Sequence, residues 1–299
     1  MFSQFVPAES EEQQPDLIRR IWASTTLTVQ EDADRLKYRD RPDLIKVIVR
    51  PNIKNIGVGA FYDCVNLKTV TFEGVDTTIE PYAFDGCTSL ETLTLPSGLV
   101  TIPDSMCKGC RALTTITIPN SVNDIGGQAF DGCKSLKTLT LPSGLVKISD
   151  GMCRDCRALT TITIPNSVNN IGDEAFAYCT SLSGIALPSM LNTIGDGAFL
   201  GCKSLETLTI PNTVDLIEGS AFSGCTGLTS VTIPGFVETI QQGAFDGCTS
   251  LVTLTISGGV GLIEGSAFNG CTSLTRVTIP ANTNLEEGAF DAEVDITRV

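Results

Sequence analysis

Histidine is missing altogether from the 299 residues. Its absence removes imidazole acid–base catalysis, Ser-His and Cys-His nucleophile pairs, and histidine-ligated metals. Basic residues are scarce as well. Twenty Lys and Arg stand against 34 Asp and Glu, and the net charge of −14 is spread along the chain. Such a surface repels phosphate backbones, so nucleic acid is not an expected partner. No stretch approaches the ~18 consecutive apolar residues of a membrane span. Residues 1–14 are polar and acidic, without the basic and apolar regions of a secretory leader. The expectation is a soluble, cytoplasmic chain with reduced thiols and no membrane partner. No phosphate-binding loop or dinucleotide fingerprint stands in a strand–helix context. The reading is therefore of a non-enzyme without catalytic residues, cofactor or metal.

What the chain has is a beat. Cysteine recurs ten times at intervals of 23, from Cys64 to Cys271, and leucine eleven times from Leu44 to Leu274. A fixed period of this length marks a solenoid, in which each coil is one supersecondary unit and neighbouring coils complete its core. In the coil opening at Leu113, Thr115-Ile116-Thr117-Ile118 alternates and is β-branched, which predicts a strand with the isoleucines inside. Pro119 ends it, because proline has no N–H to give to a ladder. Val122 and Ile125 return to the core. Ala129, Phe130 and Cys133 stand at i, i+1 and i+4, which predicts a single helical or 3₁₀ turn on the outer side.

Leu113, Ile116, Ile118, Pro119, Val122, Ile125, Ala129, Phe130 and Cys133 together resemble the BspA-like, or treponemal-type, leucine-rich repeat. The resemblance extends from Leu44 to Phe290. It implies an α/β-type repeat solenoid dominated by strands: a right-handed leucine-rich-repeat solenoid with one parallel β-sheet and short helical or 3₁₀ turns on the outer side. It also implies adhesion or partner binding, often at a cell surface. The chain departs from ordinary leucine-rich repeats in lacking their asparagine column. The corresponding positions read Ser97, Asn120, Ser143 and Asn166.

Residues 1–15 read as a disordered acidic tail and 16–43 as an N-terminal cap. The cap includes a short amphipathic helix over 16–22 with Trp22 packed beneath it. Residues 44–290 form eleven coils, and 291–299 a C-terminal cap or tail in which Ile296 and Val299 mark a further strand. Residues 88–133 and 134–179 are nearly the same 46-mer, so the array grew by copying pairs of coils.

That copying produced Cys107-Lys108-Gly109-Cys110 and Cys153-Arg154-Asp155-Cys156. Paired CxxC motifs elsewhere indicate zinc. Here Cys107 and Cys153 occupy the phenylalanine column two coils apart, ~10 Å at the strand spacing, and four sulfurs cannot gather on one ion. The cysteine column reads as small buried hydrophobes. Asp104, Asp150, Asp173 and Asp196 read as solvated turn acids.

The outward strand face is the candidate site. Its two rows are threonine at almost every coil, with Thr92, Thr94, Thr115, Thr117, Thr138, Thr140, Thr161, Thr163, Thr207 and Thr209 as binding residues. Threonine suits a solvated sheet by itself. Even so, this is the one broad, uniform and uncharged surface on an acidic molecule. The leading expectation is an interaction or adhesion scaffold, a monomer that docks a protein or an extended polymer on this face. The alternative is ice or ordered-water binding by the T-x-T rows, interrupted at Gly184 and Ala186.

Overall fold

A coil of 23 residues without a helix cannot satisfy its own backbone, so its N–H and C=O groups must find partners in the coils on either side. The computed structural model, which describes residues 25–299, is built on that requirement. The tail over 1–15 and the helix over 16–22 with Trp22 lie outside the described residues.

The alternating segments form parallel strands such as Thr115–Thr117, Thr138–Thr140 and Thr161–Thr163. Because the spacing never deviates from 23 over these coils, Thr138 lies opposite Thr115 and Thr161, and Thr140 opposite Thr117 and Thr163. One such strand per coil runs from Leu44–Val49 to Arg276–Ile279. The array continues at both ends. Thr25–Val29 pairs with Leu44–Val49, Ala33 bridges to Ile56, and Tyr38 stacks on Phe61 at 5.2 Å. Asp295–Arg298 pairs with Arg276–Ile279, so the segment around Ile296 is indeed a strand.

The expectation of one parallel sheet needs correction. A second parallel ladder exists, built of two-residue strands such as Asn170–Ile171 and Thr193–Ile194. After the proline turn the chain is again extended there, and its only available partner is the same segment one coil away. The threonine-bearing ladder is itself divided into three sheets, with breaks between Thr92–Thr94 and Thr115–Thr117 and between Gly184–Ala186 and Thr207–Thr209. The second break falls where the β-branched residues give way to glycine and alanine. The first has no residue-level cause in the structure.

The outer side differs from expectation too. Among the described residues there is no helix or 3₁₀ segment. Gln128 and Gly132 have φ of 55° and 71°, and left-handed residues recur four apart in coil after coil, which no right-handed helical turn accommodates. The segment is a run of tight turns that alternate two bonding modes. Ala60, Tyr62 and Cys64 donate three residues back within their own coil, to Gly57, Gly59 and Phe61. Gly59, Phe61 and Asp63 donate to Pro81, Ala83 and Asp85 of the next. Each coil thus has a third line of inter-coil hydrogen bonds.

The interior is made of columns. Phe176, Phe199, Phe222, Phe245, Phe268 and Phe290 form a continuous stack with ring centroids 4.9 to 5.4 Å apart. Tyr38, Phe61 and Phe84 form a second stack. Cys107 and Cys153 interrupt the column around Phe130, and all three are fully buried. In those two coils Met106 and Met152 replace the alanine that precedes phenylalanine elsewhere, also fully buried. Ala-Phe has become Met-Cys, and the long thioether fills much of the volume the ring vacates.

The cysteine column does more than fill space. Cys133 Sγ donates to the Cys107 carbonyl at 3.2 Å and Cys202 Sγ to that of Phe176 at 3.2 Å, and the same bond forms at each of the ten columnar cysteines. The accepting carbonyl already takes the N–H of its own coil's cysteine, as Phe199 does from Cys202. Burial pushes the Cys225 thiol up to about 12, and those of Cys133, Cys179 and Cys202 up as well, which keeps these donors protonated.

Charge is arranged in columns on the outer turns. Asp85, Lys108, Asp131 and Arg154 succeed one another at the residue after the Phe/Cys position. Asp131, nearly buried, accepts from Arg154 at 2.9 Å and lies 3.8 Å from Lys108. Asp85 has no such close partner, and burial pushes its carboxyl up to about 6 despite nearby Lys108. At the N-terminal end the Arg41 guanidinium, together with the Thr25 hydroxyl at 2.8 Å, holds Asp43 down at about 2.

Two predictions follow from this packing and charge. Cys107→Phe alone overpacks the column because Met106 is in the way, and should cost about 1–3 kcal/mol. Adding Met106→Ala restores the Ala-Phe pair and should recover most of that loss, measured as denaturant midpoints. Asp85 gives the second. Its folded carboxyl binds a proton more tightly than the unfolded one, whose ordinary value is 3.8. Between those two values the folded state holds more protons, so this group's contribution to stability rises as pH falls from above 6 towards 4. Asp43 has the opposite sign, and its contribution is lost as pH falls from 3.8 through about 2. Asp85→Asn should therefore stabilise the fold near neutrality by at most about 3 kcal/mol and by little below about pH 4.5. Urea unfolding of both proteins across that range is the check, and an equal gain at every pH would contradict the assignment.

Candidate binding face

The strand face is built by register. Inward Leu93, Ile116, Leu139, Ile162 and Leu208 are buried at 3 to 6% exposure, and the residues on either side of each point to solvent. All ten threonines named from the sequence are exposed on such strands. They are not in one sheet. Thr92 and Thr94 belong to the first, Thr115, Thr117, Thr138, Thr140, Thr161 and Thr163 to the second, and Thr207 and Thr209 to the third. Within the second, the two rows are in direct cross-strand register, ~4.8 Å between strands and ~6.6 Å along one.

The first break shapes the face. Between the strands of Thr94 and Thr117 lies a shallow groove of about 380 Å³, lined also by Ser97 and Pro119. A larger one of about 860 Å³ lies at the C-terminal end, between Thr253 and Thr255 on one side and Arg276 and Thr297 on the other. Arg276 stands opposite Asp295 there. Arg276 closes its threonine row with a charge as Lys46 opens it, and Asp295 is not marked in the sequence because it lies beyond the last full repeat. Along the edge of the rows, Lys68 and Glu91 form an exposed ion pair at 3.6 Å. Exposed pairs of this kind contribute little to stability.

Three of the four turn acids, Asp104, Asp150 and Asp173 but not Asp196, are bound to the backbone. Asp104 accepts from the Gly127 N–H at 2.7 Å, Asp150 from Asp173 at 3.1 Å and Asp173 from Asp196 at 3.0 Å. Further on, the direction reverses: Glu264 accepts from Gln242 and Glu286 from Gly265, each one coil earlier. These acids are not merely solvated. They satisfy N–H groups of the adjacent coil, a role that the residue type alone does not disclose. The turn Cys107–Cys110 is closed by the Cys110 N–H on the Cys107 carbonyl at 3.1 Å, and both thiols are buried. Among the described residues, no three of His, Cys, Asp or Glu converge into a metal-binding group.

Comparison with known proteins agrees with this geometry. No curated protein matches the chain. Its fold is that of a leucine-rich repeat protein from Bacteroides ovatus, with TM-score 0.67 and 22% identity over 92% of each chain. A leucine-rich repeat protein from Eubacterium ventriosum superposes at TM-score 0.58 and 21% identity, over 92% of this chain and 91% of that one. The T. pallidum leucine-rich repeat protein does so at TM-score 0.51 and 24% identity, over 54% of this chain and 78% of that one. The family model for the BspA-type leucine-rich repeat region matches residues 38–130, 100–215 and 192–299. With those matches together spanning residues 38–299, the chain belongs to the BspA-type leucine-rich repeat family.

Proposed function

We propose that this protein is a non-enzymatic interaction scaffold whose partner, another protein or an extended polymer, docks on the threonine face. The observation that carries the reading is the pairing of Thr115, Thr138 and Thr161, and of Thr117, Thr140 and Thr163, in two exposed uncharged rows on a molecule of net charge −14. Hydroxyls at fixed spacing give both donors and acceptors, and their methyl groups give apolar contact at low cost in side-chain entropy. A partner there avoids most of the acidic surface. The groove between Thr94 and Thr117 offers a concave start for an extended segment. Family membership supports the general class, since leucine-rich repeats bind proteins and other ligands on repeated surfaces.

Ordered-water or ice binding is the second reading, favoured by the in-register T-x-T pairs alone. The interruptions at Gly184–Ala186 and at the two sheet breaks limit the flat area it has to work with.

Glu at Thr115, Thr117, Thr138 and Thr140 tests both. These side chains face water, so the variant should fold with an unchanged circular dichroism spectrum. A partner captured from the source cell's lysate by the parent protein should be lost. Retention of that partner by the variant would move the site off this face. Thermal hysteresis in the parent, abolished in the variant, would instead establish the water-ordering reading.

A further inference from the structure

The segments that lead into and form three successive strands of the central threonine sheet, 111–117, 134–140 and 157–163, contain four bases and no acid. Arg111, Lys134 and Arg157 each follow a columnar cysteine, so they repeat one coil apart, ~4.8 Å, on the turn before the strand. Lys137 stands next to Thr138 at the head of the middle strand. In a chain where acids outnumber bases 34 to 20, this edge is the exception. At the position after the cysteine, no coil from Val65 to Thr272 has an acid. Among the described residues, one carboxylate reaches the group: Asp155 accepts from Arg157 at 2.6 Å and lies 3.3 Å from Lys134. The coil of Arg111 has Gly109 in place of that acid. Arg111 and Lys137 are exposed, and no ion pair among the described residues involves either.

Copying of the 46-mer accounts for Arg111 and Arg157 but not for the lysines between them. Lys134 and Lys137 correspond to Thr88 and Glu91 of the first copy. Glu91 is the acid on that edge, paired with Lys68 at 3.6 Å. The two copies thus differ in charge at both of these positions, and in both the second copy is the more basic. The surface beside these bases is equally particular. None of the large exposed apolar side chains lies in the three segments, which present threonine hydroxyls and methyls instead.

We propose that this edge holds the anionic groups of an acidic glycan, a polysaccharide bearing carboxylates or sulfates, whose chain lies along the rod over the threonine rows. The inference rests on the threonine face as the docking surface and names the chemistry of its partner. Guanidinium and ammonium groups give charge-assisted bonds to such anions, and threonine hydroxyls donate to and accept from sugar hydroxyls. A pyranose with its linkage is about as long as one coil is thick, so successive sugars meet successive coils. An acidic peptide fits less well. Side chains on one face of an extended strand repeat every ~6.6 Å, out of step with ~4.8 Å. It would also find no aromatic or apolar anchor here, and nucleic acid would find no ring on which to stack a base. The acidic remainder of the molecule repels a polyanion, which confines the glycan to this edge.

Binding to heparin, polygalacturonate, polyglutamate and neutral dextran is the test. The protein should bind heparin, polygalacturonate or both at low ionic strength, the preference telling sulfate from carboxylate. It should be released by added salt and should ignore dextran. Arg111→Ala with Lys137→Ala should weaken glycan binding about tenfold and leave the thermal midpoint unchanged. Lys54→Ala with Lys147→Ala, an equal change of charge at exposed positions off this edge, should not weaken it. Thr88→Lys with Glu91→Lys extends the edge by one coil and should tighten binding, a gain that misfolding cannot produce. Binding to neither acidic glycan, equal loss in the two alanine pairs, or polyglutamate bound as tightly would each overturn the inference. Thr115→Val with Thr138→Val should also weaken glycan binding. Glycan binding lost with the bases but untouched by these valines would overturn the reading of the threonine face and leave the edge as the site. Absence of glycan binding, with a lysate partner still lost in the glutamate variant, would overturn the glycan and leave the face.

Discussion

Backbone hydrogen bonding between successive coils is the constraint on which the rest of this molecule depends. Three segments of each coil meet it differently: a strand such as Thr115–Thr117, a two-residue strand such as Asn170–Ile171, and an outer turn whose alternate N–H groups reach the next coil. The side chains elaborate the same theme. Thiols of the cysteine column donate to carbonyls one coil back, and turn carboxylates and amides accept from N–H groups one coil away. Each device repeats because its partner is the same device displaced by one period. A coil in isolation would leave nearly all of these groups unpaired, which is why stability resides in the contacts between units.

The same arithmetic makes the surfaces regular. Exposed residues 23 apart form rows, and two kinds of row stand out. The threonine rows are uncharged and unbroken from Thr69 and Thr71 to Thr161 and Thr163, suited to a partner that is itself extended. In the other, at the rim, Met190 and Phe236 are exposed apolar side chains. Both come from the growth of the array. Copying 46 residues at a time preserves alternation between odd and even coils, and later substitutions at Met190 and Phe236 fall in step with it. The Met-Cys coils at 106–107 and 152–153 have the same history, and their methionines offset the lost rings.

Much of this was legible from residues alone. Alternation at Thr115–Ile118 disclosed the strand, Pro119 its end, and the fixed interval its register. The second ladder was not legible, because two residues such as Asn170–Ile171 carry no periodicity. The outer turn was misread for a definite reason. Ala129, Phe130 and Cys133 have the spacing of a helical turn, and consecutive tight turns bury the same positions. The glycine preceding most columnar cysteines, as at Gly132 and Gly224, was the available signal for a left-handed residue, whereas Gln128 and Glu174 adopt that conformation with no sequence mark. Exposure of the ten threonines followed from alternation, but the sheet breaks that divide them did not. The thiol and carboxylate bonds were hidden because cysteine also serves as a small hydrophobe and aspartate as an ordinary turn residue.

Removing residues 134–179, one of the two near-identical 46-mers, tests the nearest-neighbour account most directly, since it excises two whole coils and rejoins equivalent positions. The shortened chain should still unfold cooperatively in urea, with a smaller denaturant dependence in keeping with its smaller buried surface and a lower midpoint from the lost coil-to-coil contacts. A chain that failed to fold, or one whose midpoint and denaturant dependence were unchanged, would contradict it.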